Sequence, residues 1–297
     1  MKFDVVVSNP PFQDTTNRGK TQHKLWIEFT KLSFDSLLKE SGVLCQVSPS
    51  SFQSPSSKIL QLFKEKKVTE LNLDTGKYFP DVGSSFANYN VWNSLDDDSE
   101  TKITNENGTF EIKFDNDVFY LPIDFCKESY SIHQKVIFDT KDKLVVKRDY
   151  VTCHNILLKN EDSILSKTET DKHIHPLLHT NKQIWYSTVR QDFADNKKVM
   201  WSRSGYTQPF YDAGKLGTTD MGYYINVSSD EEGEVLEHNL NSNLFKYIFK
   251  TAKWSGFGNE KVFDSLPVVP LDRKLNEEEM YDFFGLTDNE KNYVRGN

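Results

Sequence analysis

At 297 residues, 37% of them apolar, with a formal net charge of −8, the chain has room for two domains and enough apolar side chains to bury a core. It contains no run of about eighteen apolar residues, which excludes a membrane-spanning helix of ordinary length. The acidic balance argues against a nucleic-acid binder that works through charge alone.

The mean hydropathy of −0.62 is that of a soluble globular protein. Met1 to Val7 turns polar at Ser8-Asn9, too early for a signal sequence, so a cytoplasmic protein is expected. Cys45, Cys126 and Cys153 are widely spaced and form no CxxC pair, which indicates neither a disulfide framework nor a zinc site.

In chain order, Phe3 to Val7 is a valine-rich run ending at Ser8-Asn9-Pro10-Pro11. Its unbroken apolarity predicts a parallel strand buried on both faces. Thr15 to Thr21 is polar and predicts a loop. From His23 to Lys39, Leu25, Trp26, Phe29, Leu32, Leu37 and Leu38 follow helical spacing, and Gly42 stands where a helix C-cap would. Val43 to Val47 predicts a second strand, ending at Ser48-Pro49-Ser50-Ser51. A serine-capped helix follows, with Ile59, Leu60, Leu62 and Phe63 on one side, and then a third strand over Val68 to Leu73. This alternation predicts part of a doubly wound parallel α/β sheet. Ser84 to Trp92 adds a strand after a turn at Phe79-Pro80-Asp81-Val82-Gly83.

After Trp92 the character changes. Asp96, Asp97, Asp98 and Glu100 mark a solvated boundary, and short alternating strands such as Phe110 to Phe114 and Val118 to Leu121 follow. Between Lys172 and Thr219, Lys172, Lys182, Arg190, Lys197, Lys198, Arg203 and Lys215 face only Asp192, Asp195 and Asp212. Trp185, Tyr186, Phe193, Trp201, Tyr206, Phe210 and Tyr211 are interleaved with them. Such a pattern suits phosphate contact together with base contact, and equally a β-rich core whose polar face is basic. Arg190 and Arg203 are the cations expected nearest to bases. Acid returns at Asp230-Glu231-Glu232-Gly233-Glu234 and at Glu277-Glu278-Glu279.

The chemistry gathers at Asn9-Pro10-Pro11-Phe12. An aromatic exocyclic amine is a poor nucleophile because its lone pair is delocalised into the ring. Activating it requires two acceptors held beside each other, one for each N–H. The Asn9 side-chain oxygen supplies one. The Pro10 carbonyl supplies the other, since Pro11 fixes the backbone before it in an extended form. Phe12 offers a face on which a flipped base stacks. The place, just past the carboxyl end of a parallel strand, is where open α/β sheets bind ligands. A plain turn after a strand is the alternative.

Phe3-Asp4-Val5-Val6-Val7-Ser8-Asn9-Pro10-Pro11-Phe12 resembles the catalytic motif of adenine-N6 amino-group DNA methyltransferases of the restriction-modification type. Gly42 to Phe52 resembles the next strand and its Pro-Ser-Ser-Phe turn, and Tyr78 to Ser85 the segment leading into the strand behind the target-base pocket. Leu266-Pro267-Val268-Val269-Pro270 and Phe283-Phe284-Gly285-Leu286-Thr287 are similar to the end of the same enzymes' target-recognition domain. The resemblance implies S-adenosyl-L-methionine as methyl donor, double-stranded DNA as substrate, and Asn9, Pro10, Pro11 and Phe12 as the catalytic set. It also implies a second aromatic against the flipped base, Trp92, with Tyr89 as runner-up; either also reads as core.

On this reading residues 1–95 are the C-terminal half of a methyltransferase catalytic domain. Residues 96–125 are an acidic linker or hairpin, and residues 126–297 a mixed, largely β target-recognition domain. Arg18, Lys20, Lys182, Arg190, Lys197, Lys198, Arg203 and Lys215 are the expected DNA contacts, and the loop from Gln13 to Lys24 is placed to close over the extruded base.

The family's cofactor half, with its glycine-rich turn, precedes the motif, and here the motif starts at residue 9. Ser255-Gly256-Phe257-Gly258-Asn259 lacks the strand before and the helix after that such a turn requires. The cofactor-binding residues are therefore not identifiable in this sequence. Either a separate polypeptide carries that half and pairs with this chain, or the chain is a fragment of a longer reading frame, because Phe3 to Val7 would otherwise present an apolar sheet edge.

His173, His175 and His179 lie around Pro176 without a matched carboxylate or cysteine, so no metal site is expected. Gly214-Lys215-Leu216-Gly217-Thr218-Thr219 lacks phosphate-loop spacing and reads as a turn that can bring Lys215 to a phosphate. Two other functions share these features. One is a non-catalytic DNA-recognition protein derived from such an enzyme, and the other is a methyltransferase acting on protein glutamine or RNA.

Overall fold

The computed structural model describes residues 1–12, 24–55, 57–79, 85–95, 99–114, 117–149, 152, 154, 163–180, 183–203, 208–254 and 260–297. Two compact units emerge, one of residues 1–131 and 252–261, the other of residues 132–251 and 262–297. No described helix is long and apolar enough to cross a membrane.

The first unit is built on a six-stranded sheet of order β1-β2-β4-β3-β5-β6. Its strands are β1 (Phe3–Ser8), β2 (Leu38–Pro49), β3 (Lys67–Asn72), β4 (Phe86–Trp92), β5 (Glu100–Asn105) and β6 (Gly108–Lys113). β1 runs parallel to β2, with Val5 opposite Val43 and Ser8 opposite Gln46. β4 inserts between β2 and β3 and is antiparallel to both, so β1, β2 and β3 run parallel as the alternation predicts, within a sheet that is mixed overall. β3 and β4 follow one another in sequence and pair directly, the chain returning antiparallel. β5 pairs parallel with β3, and β6 pairs antiparallel with β5. The hairpin expected to be a linker thus extends this sheet. No strand forms over Val118 to Leu121; Tyr120 and Leu121 are buried, and Leu121 donates its N–H to Gln53 O and accepts the Trp254 indole N–H.

The predicted helix from His23 to Lys39 is shorter than its apolar pattern. α1 spans Leu25–Leu32 and widens into a π-helical turn, Ser33–Leu37, before β2 begins at Leu38. Thr30 and Ser33 each donate a side-chain hydrogen bond to the carbonyl four residues back, both at 2.8 Å, competing with regular helical geometry. Gly42 is therefore not a helix cap. It lies inside β2, where a Cβ would stand 3.0 Å from the Phe3 carbonyl oxygen and 3.1 Å from that of Asp4. Ser41 beside it has φ +62°, a left-handed conformation unfavourable for a side chain with a Cβ. α2 (Lys58–Lys64) starts as predicted, with Ser57 Oγ accepting the Leu60 N–H.

α1 and α2 cover one face of the sheet. Leu44, Ile59, Leu60, Phe63, Tyr89 and Val91 there are fully buried. The opposite face of β1 is bare: Phe3, Val5 and Val7 are 46%, 53% and 80% exposed. The strand predicted to be buried on both faces is therefore an edge strand with one apolar face in solvent.

α3 (Lys127–His133) and a π-helical turn, Gln134–Phe138, carry the chain into the second unit. Two four-stranded sheets follow, of order β13-β9-β10-β8 and β12-β11-β14-β7. Their strands are β7 (Lys147–Arg148), β8 (Leu165–Ser166), β9 (His175–Thr180), β10 (Gln183–Ser187), β11 (Lys197–Ser202), β12 (Phe210–Ala213), β13 (Gly217–Thr218) and β14 (Gly222–Asn226). Leu165, Leu177 and Trp185 form one core cluster, and Leu178, Met200 and Tyr224 another.

The last third of this unit is helical rather than β. The acid runs open helices: α4 (Asp230–Leu240) and α6 (Glu277–Phe283), with α5 (Asn243–Thr251) between them and α7 (Asp288–Gly296) last. Ser229 caps α4, while Asn276 with Glu279, and Thr287 with Glu290, form reciprocal capping boxes. Carboxylates in a first helical turn also meet the positive end of the helix dipole.

Gly42→Ala is expected to destabilise the chain by about 1–3 kcal/mol, because the new methyl meets backbone that must move. Ser41→Gly is expected to stabilise it by about 0.5–1 kcal/mol, the left-handed strain removed less the glycine's extra chain entropy. Urea unfolding midpoints of the two variants, moving in opposite directions, check both.

Candidate active site

β1 ends at Ser8, and the backbone emerges as Asn9-Pro10-Pro11-Phe12. Asn9 and Pro11 are exposed, Pro10 is buried and Phe12 half-buried. The Phe12 ring packs on Phe86 at 5.1 Å between centroids and 31° between planes, and Phe86 packs on Phe79, also at 5.1 Å. Phe86 is the first residue of β4 and pairs with Pro49 at the carboxyl end of β2. Because β4 runs antiparallel, its beginning lies at the level where β1 ends. That is why Phe86, rather than a residue at the strand's far end, joins Phe12.

Trp92 does not join this cluster. It closes β4 opposite Val43 and Lys67, six residues and about 20 Å along the strand from Phe86. Tyr89 is buried on the helix-covered face, where Gln46 Nε2 donates to its hydroxyl at 2.8 Å. Burial pushes the Tyr89 phenol up to about 12. The aromatic missed from sequence is Phe86. Its signal was the direction of β4, which depends on pairing and not on any local pattern.

Beneath the strand end lies a buried polar network. Gln46, in register with Ser8, donates to Thr30 Oγ1 at 2.7 Å as well as to Tyr89. Thr30 Oγ1 donates onward to Trp26 O at 2.8 Å. Gln46 Oε1 is buried with no partner. These bonds tie α1, β2 and β4 together directly under Ser8.

The basic region of the second unit is largely engaged with itself. Lys198 is corrected from an expected DNA contact to a structural residue. It is fully buried, and its ammonium donates to Ala194 O at 3.0 Å, Asn196 O at 2.8 Å and Asp212 Oδ2 at 2.8 Å. The Asp212 carboxylate also accepts the backbone N–H groups of Lys215 and Leu216. Lys197 pairs with Asp230 at 2.9 Å.

Arg190 pairs with Asp195 through both Nε and a terminal nitrogen, which holds that carboxyl below its ordinary range. Arg203 is half-buried, its N–H bonded to Met221 O. Lys215 is exposed on a turn that is braced rather than flexible: Gly214 has φ +83°, and a Cβ there would meet Asp195 O at 2.5 Å. Arg18, Lys20 and Lys182 lie outside the described residues, as do Ser255 to Asn259 and Tyr206. Trp185 and Trp201 are core residues, and Phe193 stacks on Tyr224 at 4.4 Å.

His179 is buried, stacked on Trp185 at 3.7 Å and hydrogen-bonded through Nδ1 to Thr219 Oγ1 at 3.0 Å. His154 Nδ1 donates to Asp220 Oδ1 at 2.7 Å, and His173 bonds Thr170 and Ser163 O. Among the described residues, no three His, Cys, Asp or Glu side chains are gathered as a metal ion would need. Burial, and then the neighbouring His154, push the His179 imidazole down to about 4. Burial pushes His133 down to about 3.

Residues 1–83 match the model of the Eco57I restriction-modification methylase family. No curated protein matches the chain. Among solved structures, the DrdV–DNA complex is similar over 98% of this chain and 43% of that one, with 10% identity and a TM-score of 0.49. The type IIL restriction-modification enzyme MmeI, in complex with DNA, is similar over 98% of this chain and 54% of its own, with 8% identity and a TM-score of 0.43. The M protein of the type I restriction enzyme EcoKI shares 17% identity over 35% of this chain and 25% of its own, with a TM-score of 0.28. The chain thus spans between a quarter and about half of the length of these proteins.

Two outcomes follow from the second unit's buried groups. Below 6.5, the ordinary histidine value, an unfolded chain takes up protons that His179 refuses until about 4 and His133 until about 3. The contribution of these two groups to stability therefore falls as pH drops through that window; urea midpoints between pH 6.5 and 4, with a shallower slope in His179→Gln, check this. Asp212→Ala leaves the Lys198 ammonium buried without its counter-ion and is expected to cost about 3–5 kcal/mol. Lys215→Ala, on the same turn, should change the unfolding free energy by less than about 0.5 kcal/mol.

Proposed function

We propose that this chain is the catalytic-motif and target-recognition part of a site-specific DNA adenine-N6 methyltransferase of the restriction-modification kind. The observation that carries the reading is the exposed Asn9 amide beside the Pro10 backbone, at the carboxyl end of a parallel strand and next to the Phe12–Phe86–Phe79 cluster. The match of residues 1–83 to a restriction-modification methylase family supports it.

In this reading an adenine extruded from the duplex stacks on Phe12, whose ring is held from behind by Phe86. Asn9 Oδ1 and the Pro10 carbonyl each accept one N–H of the exocyclic amine. Two acceptors on one nitrogen draw it from planar towards tetrahedral geometry and return its lone pair from the ring. Neither acceptor has to reorganise as charge develops, because β1 and the two prolines hold them in place. S-adenosyl-L-methionine supplies an electrophilic methyl group at that nitrogen. The residues at the end of β1 suit one wall of such a donor's crevice; among the described residues no strand pairs with the other side of β1. A polypeptide carrying the cofactor half, separate from residues 1–297, completes the wall.

In the second unit Arg190, Lys197, Arg203 and Lys215 are the proposed DNA contacts. Lys215 suits a phosphate, being exposed on a fixed turn, whereas Arg190 and Lys197 must exchange their Asp195 and Asp230 partners for DNA.

Asn9→Ala is expected to lower methyl transfer by at least about a hundredfold with little change in DNA binding, since the lost acceptor acts mainly in the transition state. Transfer of labelled methyl from S-adenosylmethionine to DNA, RNA and protein in parallel, with the cofactor-half polypeptide present, checks this. Unchanged transfer in Asn9→Ala overturns the role of Asn9, and label appearing in RNA or protein instead of DNA overturns the substrate.

A further inference from the structure

One end of the β12-β11-β14-β7 sheet gathers three cations. Lys197 opens β11 opposite Ala213, which closes β12, and Lys215 follows two residues later. Arg190 joins them through the turn from Gln191 to Asn196, where the Asp195 carbonyl rests against Gly214. β14 ends at the same level, since its Asn226 opposes Lys198, and leads through Ser229 into α4. Asp195 and Asp230 therefore reach this end of the sheet as well.

Two of the three cations are capped. Arg190 donates to both carboxylate oxygens of Asp195, and the Lys197 ammonium lies 2.9 Å from Asp230 Oδ1. The exposed Lys215 ammonium, by contrast, has no carboxylate partner among the described residues.

The fold does not need these two pairs. All four side chains are more than a third exposed, where water and salt screen an ion pair and leave it little stability. The turn beneath them is set by the buried Lys198–Asp212 pair and by the backbone of Asp195, not by its carboxylate. Nor is either pair hard to open. Asp230 also accepts the Tyr211 hydroxyl and lies in the first turn of α4, at the positive end of the helix dipole. It stays satisfied when Lys197 leaves. Asp195 is the more exposed member of its pair and returns to water.

What the two carboxylates control is charge. A free cation that meets a phosphate releases a counter-ion from DNA whatever the base sequence. A cation already holding a carboxylate gains little from a passing phosphate. Only a duplex seated by other contacts keeps its phosphates there long enough to displace the carboxylates. Two phosphate contacts are thereby withheld from sequence-blind binding and kept for the matched complex, which widens the difference between the two.

We propose that Asp195 and Asp230 are specificity-determining residues that mask Arg190 and Lys197 from non-cognate DNA and leave Lys215 as the standing phosphate contact. This rests on the reading of the second unit as a DNA-recognition unit, and not on methyl transfer.

The full chain is titrated onto a short fluorescent duplex of random sequence between about 50 and 200 mM salt. Asp195→Asn and Asp230→Asn keep an acceptor oxygen but lose the charge. Each is expected to tighten binding about three- to tenfold at the low-salt end and to steepen the slope of log K against log salt by about one. The gain belongs to the uncapped cation. In an Arg190→Ala chain Asp195→Asn therefore brings none, and in a Lys197→Ala chain Asp230→Asn brings none. Lys215→Ala weakens binding in every background.

Unchanged binding in both asparagine variants overturns the proposal. So does a gain that survives loss of the paired cation, since the long-range field of the chain and not a mask is then at work. Absence of DNA binding in every variant overturns it together with the assignment of this unit to DNA. If Lys215→Ala weakens binding while the asparagine variants change nothing, the DNA contact stands and the masks fall. If the masks hold but no methyl group reaches DNA with the cofactor-half polypeptide present, the masks stand and the enzymatic reading falls.

Discussion

The parallel pairing of β1 with β2 is the constraint on which the first unit depends. The two strands approach so closely at Gly42 that a methyl group would touch the carbonyl oxygens of Phe3 and Asp4. From that contact the register runs without interruption from Val5–Val43 to Ser8–Gln46. It sets the level at which Asn9 leaves the sheet, and it brings Ser8 above the Gln46–Thr30–Tyr89 network that anchors α1. Asn9 is exposed yet held, because everything before it is fixed by backbone pairing and everything after it is proline.

The second unit depends in a similar way on one buried charge. Lys198 and Asp212 are 0% and 4% exposed at their side chains. Around them the ammonium collects two carbonyls and the carboxylate two backbone N–H groups. Such a pair contributes little net stability against an apolar replacement of the same size, but it fits only one arrangement of the chain around it. Its effect is to set the turn that displays Lys215, within the stretch where the sequence concentrates positive charge.

Local patterns carried much of this into the sequence, and pairing carried the rest. β1, the serine cap of α2 and the Asn-Pro-Pro-Phe exit could be read directly, because each is decided within a few residues. The insertion of β4 between β2 and β3 could not. The sequence singled out Trp92 and then Tyr89 on that strand, and it is the strand's direction that instead sets Phe86 beside Phe12. The apolar spacing through Leu38 read as one long helix, although Thr30 and Ser33 bond back to the helix and the chain straightens at Leu38. The acid runs at Asp230 and Glu277 were legible as charge but not as helix starts; Ser229 and Asn276 just before them are the cap signals that mark those starts. Lys198 was counted among surface cations because burial of a lysine leaves no trace in composition.

The place of β4 also bears on how the first unit assembles. It is the fourth of the six strands in sequence yet sits between the second and the third, bonded on both sides. β2 and β3 cannot pair with each other on the way without closing the slot that β4 must fill. β1 and β2 are thus joined to β3 from the middle, by a strand whose partners on one side lie about forty residues away, a contact that loop-closure entropy makes slow. Phe86 arrives with that strand, so the aromatic support behind Phe12 forms only when β4 has taken its place beside β2.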